Sequence, residues 1–99
     1  MSFIVEQRDH LVDLLLRKRN IHRNYAAVFG SNEGAMVLQH IMQEGFVTKS
    51  TYVAGDPNQT MLNEGSRRLA LSILRMARTN HKEVIRMVEQ QLQEQGIQL

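Results

Sequence analysis

Residues 56–78 read DPNQTMLNEGSRRLALSILRMAR. Asp56-Pro57 is a helix start. An aspartate can accept from a free amide of the first turn, and proline fits the first helical position because its missing N–H would be unsatisfied there anyway. No further proline occurs in the chain, so a helix can run to about Arg78. With Arg67 at 0° on a wheel and 100° per residue, Leu62, Gly65, Leu69, Ile73 and Met76 fall between about 160° and 240°. They are the expected core stripe. Arg67, Arg68, Arg75 and Arg78 fall between about 0° and 100°, with Leu71 near 40° and Leu74 near 340°. The segment is therefore apolar nearly all round, with arginines as the main exceptions. Such a helix is either central in its domain or covered by something else. The first reading places it in the middle of a four-helix domain. The second makes Arg67, Arg68, Leu71, Leu74, Arg75 and Arg78 a partner-binding face, since arginine's planar fork and packing stem suit interfaces. Gly65 costs about 1 kcal/mol of helix propensity relative to alanine. Close approach of another backbone, with Gly34 as the partner region, would offset it.

Upstream, residues 2–19 place Ile4, Leu11, Val12 and Leu15 on one side at helical spacing, and Arg17, Lys18 and Arg19 close the block against the helix dipole. Residues 20–29 read as a separate short helix ended by Gly30. Ser31 reads as the N-cap of a helix reaching about Glu44, with Gly45 as its C′ residue. An irregular connector is expected around residues 46–56. Downstream, Asn80-His81-Lys82-Glu83 has the offset of a capping box. Val84, Ile85, Val88 and Leu92 form an amphipathic stripe, Gly96 ends the helix, and residues 97–99 are expected to fray. The expected fold is all-α, one domain over residues 1–99, with four main helices and one short one.

Composition narrows the function. The chain has 99 residues, 12 Lys+Arg against 10 Asp+Glu, 42% apolar and 5% aromatic residues, and no Cys or Trp. One domain of this size buries roughly 60–70% of its unfolded surface, which allows a modest core. Charge is too balanced, and apolar content too high, for a disordered chain. Without cysteine there is no disulfide scaffold or thiol chemistry. Nothing approaches the ~20 apolar residues of a bilayer span. Met1-Ser2-Phe3 opens without a basic segment and apolar core, so no secretory leader is expected.

No motif calls for catalysis. In Gly30-Ser31-Asn32-Glu33-Gly34 the serine follows the first glycine directly, which breaks the Gly-x-Ser-x-Gly spacing of a nucleophile elbow, and a phosphate loop's Gly-Lys-Ser/Thr end is missing. The histidines at 10, 22, 40 and 81 never stand four apart, so no helical face offers two metal ligands. Glu64 beside Arg67 and Arg68 reads as a local ion pair. No catalytic residue, cofactor or metal is expected. Nucleic acid is the alternative partner. Arg17, Lys18, Arg19 and Arg23 form one basic cluster, and Arg67, Arg68, Arg75, Arg78, Lys82 and Arg86 another; phosphate contacts by them would be strongly salt-dependent. A net charge of +2 and five aromatic residues weigh against it.

One resemblance covers about half the chain, residues 25–74. Tyr25 to Phe29, then Gly34-x-x-Val37-Leu38, Gly45-Phe46 and Asn63-Glu64-Gly65-Ser66-Arg67-Arg68 resemble a family of small helical proteins encoded among the virion structural genes, near head and portal genes, of tailed bacteriophages. The resemblance implies a non-catalytic virion or virion-assembly role, in the virion or the host cytoplasm. The expected partners are other virion proteins or copies of this chain, with DNA the weaker alternative and no membrane.

Overall fold

The computed structural model describes residues 2–97, with side chains from residue 6 onward. The fold is all-α, in the order α1 Ser2–Phe29, α2 Asn32–Glu44, α3 Pro57–Ala77 and α4 His81–Glu94. The expected short helix does not exist separately: α1 runs uninterrupted through residue 20 for 28 residues. No glycine or proline interrupts it, and an asparagine costs a helix no more than about 0.7 kcal/mol. The buried or half-buried positions Leu15, Arg19, His22, Tyr25 and Phe29 continue at helical spacing across Asn20. Within the first block Leu11 is exposed, so the buried stripe is Val12, Leu15 and Leu16. The side chain of Ile4 lies outside the described residues.

The chain divides into two compact units. One takes the residues up to Ala26 together with those from Asn80 onward; the other is 27–79.

In the first unit Leu15, Val88 and Leu92 form the core, with Val12, Leu16, Val84 and Ile97 packed against them. The stripe read on α4 is thus the buried one. Asn80 caps α4 by accepting the Glu83 N–H at 3.3 Å. Glu83 does not return the bond of a full capping box; its carboxylate takes Arg86 at 2.5 Å, and that cation holds it below the usual carboxylate range. The expected fraying of residue 97 is not found. Gly96 takes φ +81°, the Gly96 N–H donates to the Gln93 carbonyl at 2.9 Å, and the Ile97 N–H donates to that of Leu92 at 3.0 Å. This is a Schellman closure, in which a left-handed glycine lets the next residue fold back onto the helix it ends. Residues 98 and 99 lie outside the described residues. Arg8 donates to the Gln95 carbonyl, and Arg23 pairs with Glu89 at 3.0 Å, both joining α1 to α4.

The same unit buries two histidines against each other. His22 and His81 are each 7% exposed, and their Nδ1 atoms lie 2.7 Å apart. Tyr25 stacks on the His81 ring with centroids 6.2 Å apart. One Nδ1 must donate while the other accepts, so the pair suits one proton between those two atoms and opposes two. The His22 pKa is lowered by burial first, then by His81 and Lys18. A base whose folded pKa lies below its unfolded value of about 6.5 binds fewer protons when folded. Stability should therefore be fully present above pH ~6.5 and fall as the pH drops toward the folded pKa. Thermal unfolding at pH 7.5 and 5.0 measures this. The midpoint should be lower at pH 5.0, and His22→Gln should flatten the difference; an equal slope in the variant would refute the assignment.

In the second unit α2 packs on α3. Ser31 caps α2, accepting the Gly34 N–H at 2.9 Å and donating to the Val28 carbonyl at 2.9 Å. Gly45 does not take the left-handed conformation expected of a C′ residue: its φ is −86°, and Phe46 adopts φ 60° instead. The glycine is needed for a different reason. A Cβ on Gly45 would overlap the Cβ of Ala70, so the missing side chain lets α2 meet α3 closely at that point. Lys49 Nζ lies 4.7 Å above the Phe46 ring. The connector is irregular, as its sequence suggests, but it is pinned. Asn63, buried on α3, donates to the Thr51 carbonyl at 3.1 Å and accepts from Gln59 at 2.9 Å. The Thr51 hydroxyl donates to the Glu64 carboxylate. Asp56 caps α3 by accepting the Gln59 N–H at 3.0 Å, with Pro57 at the helix start.

Candidate functional site

α3 carries the candidate face, and its orientation differs from the wheel. The expected core residues Leu62 and Leu69 are 67% and 65% exposed, and Gly65 is exposed too. The buried residues are Asn63 and Ala70, with Ile73, Leu74 and Ala77 half-buried. The core side thus lies about 100° away from the expected stripe. A hydropathy wheel looks for large aliphatic groups. Here a small residue is required where Gly45 crosses, and an amide is required where the connector presents a carbonyl.

The six arginines and leucines do not form one surface. Arg68, Leu71, Arg75 and Arg78 are exposed, with Leu71 at 40%; Arg67 and Leu74 are half-buried. The exposed members continue through Met61, which is 72% exposed. Met61, Glu64, Gly65, Arg67, Arg68 and Leu71 line a shallow depression along the helix. The expected backbone approach at Gly65 is absent, because a Cβ built there meets nothing within 4 Å. Gly34 packs instead against the last turn of α1, where a Cβ would overlap the Val28 carbonyl.

Charge is distributed unevenly. The first basic cluster is partly neutralised, with Arg17 held by Asp13 and Arg23 by Glu89, each at 3.0 Å. Arg86 is held by Glu83. Glu64 turns to Thr51 rather than to Arg67 or Arg68. Among the described residues none of Arg67, Arg68, Arg75 and Arg78 has a carboxylate partner. The exposed guanidinium groups of Arg68, Arg75 and Arg78, on a helix that also exposes Met61 and Leu71, can engage anionic and apolar groups together.

The paired histidines were not legible beforehand, because residues 22 and 81 meet only through tertiary packing. Among the described residues no three or more His, Cys, Asp or Glu side chains converge as a metal-ligand set. No helix among those residues is long and apolar enough to cross a membrane.

The fold is that of a small all-α protein, and the comparison with protein families places it among phage proteins. The Bbp19-like phage protein family matches residues 25–89, and the chain belongs to that family. The match takes in α2, α3 and the first part of α4, which the resemblance over residues 25–74 had left out. No curated protein and no solved structure matches the chain.

Proposed function

We propose that this phage protein is a non-catalytic component of the virion or of its assembly, working through protein–protein contact at α3. One observation carries the reading: a helix that exposes Met61, Leu62, Leu69 and Leu71 alongside arginines lacking carboxylate partners. Scattered exposed apolar side chains are ordinary, but three leucines and a methionine on one helix leave apolar area that a partner would remove from water at about 25 cal/mol per Å². The site of action is then the particle, or the host cytoplasm where particles are built. Mass spectrometry of purified virions and of assembly intermediates tests this. The chain should be recovered in one of them at a fixed ratio to other components, and its absence from both would end the proposal.

A second reading has its own observation, the unpaired arginine row itself, which could contact nucleic-acid phosphates. A salt titration separates the two. Phosphate contacts lose affinity steeply with salt, whereas a contact sharing its energy with buried leucine loses less.

A further inference from the structure

Resting on that protein-contact reading, we propose that the depression around Gly65 is the seat for an acidic amphipathic helix of a partner protein. An apolar side chain of the partner would fill the notch at Gly65, and carboxylates would take Arg68 and Arg75.

Three features of the second unit converge on this occupant. Gly65 stands inside a helix, has no conformational need for glycine, and presents open space where a side chain would be. Nothing within the unit offsets its propensity cost. A knob from outside, admitted by the missing Cβ, would do so. Met61 and Leu71 border the notch and are exposed, so an entering aliphatic group would be flanked by hydrocarbon. Arg68 and Arg75 lie seven residues apart, about 10 Å along the axis. Two carboxylates two turns apart on a partner helix match that separation and can each accept a guanidinium fork.

Charge selects against the other occupants. From Pro57 to Arg78 there are four arginines and one acid, Glu64, whose carboxylate is engaged by Thr51. A second copy laid symmetrically on this face would set arginine against arginine. A duplex would satisfy the guanidinium groups but leave Met61 and Leu71 against phosphate and sugar, with no apolar counterpart.

The test uses the full chain and a designed helical peptide. Its glutamates are seven apart and flank a leucine; a control peptide carries lysines in place of the glutamates, and a duplex DNA serves as the third probe. Fluorescence anisotropy should find the glutamate peptide bound at least tenfold more tightly than the lysine peptide or the DNA. Gly65→Ala should weaken that binding about tenfold while raising the thermal midpoint of the free chain by a few degrees, since alanine is the better helix former and meets nothing there. A merely structural role for Gly65 cannot give both signs. Arg68→Ala with Arg75→Ala should abolish the preference for the glutamate peptide. Unchanged binding in Gly65→Ala, equal affinity for the two peptides, tighter binding of DNA, or a dimer in light scattering that Gly65→Ala dissolves would each overturn the proposal. If the chain is found in virions while the peptide preference is absent, this inference fails and the protein-contact reading survives.

Discussion

Leu92→Ala should cost about 2–5 kcal/mol of stability, the usual range for emptying a buried leucine site. Leu92 has no exposed surface and packs in the core of the first unit with Leu15 and Val88, the three joined by Val12, Leu16, Val84 and Ile97. The upper half of the range is expected for two reasons. The neighbours sit on both α1 and α4, so the site cannot collapse by shifting one side chain. The Leu92 carbonyl also accepts the Ile97 N–H, so loss of packing at 92 loosens the closure that follows the helix. Chains of this size have roughly 5–15 kcal/mol in hand, so such a loss is a large fraction of the whole and should lower the unfolding midpoint clearly. Denaturant titration of Leu92→Ala beside Leu92→Met measures it. The methionine variant, nearly volume-conserving, should lose under about 1.5 kcal/mol. Similar losses for both would mean that the site is not tightly packed.

The second large effect is expected at Gly34. A Cβ there would overlap the Val28 carbonyl oxygen and crowd the Ser31 hydroxyl at 2.9 Å. The obstruction is backbone, in the last turn of α1, and no side-chain rotation relieves it. Gly34→Ala should therefore destabilise by about 3 kcal/mol, the high end for forced overpacking, despite a propensity gain of about 1 kcal/mol. The cap should fail with it, because moving residue 34 breaks the Gly34 N–H to Ser31 bond. Gly34→Ala and Gly65→Ala make the same chemical change in two helices, yet their effects should have opposite signs. Thermal unfolding of the pair decides it. A stabilised Gly34→Ala would show that the turn can shift freely.

The local signals were legible. Ser31, Asp56-Pro57, Asn80 and Gly96 each act through their own first or last turn, so short-range chemistry sufficed to locate them. The α4 stripe was legible because Val88 and Leu92 are both large and buried, with Val84 half-buried beside them. Residue size misled the reading of α3. Ala70 is buried because Gly45 needs it small, and Asn63 because Thr51 offers it a carbonyl, and neither requirement is written within α3. The candidate face was half legible. Its arginines and Leu71 are legible on the wheel, but Gly65, which lines the depression, falls on the apolar stripe. Met61 is not legible, because a methionine outside the apolar stripe gives no signal by itself. Arg17, Lys18 and Arg19 resemble the basic last turn of a helix, yet the buried stripe runs on past them through His22, Tyr25 and Phe29.

The order of segments has a consequence for folding. The first unit is assembled from two segments far apart in sequence, with the whole of the second unit inserted between them. Leu15 cannot meet Val88 until the ribosome has delivered α4, whereas the contacts of α2, the connector and α3 all arise within one continuous stretch. Closing the longer loop carries the larger entropic cost, so the insert should mature first while the leading helix waits with its aliphatic edge uncovered. Pulse-labelled amide exchange during refolding should find α2 and α3 protected ahead of α4, and the reverse order would refute this. During synthesis, the interval before α4 emerges is then when the chain is most exposed to aggregation.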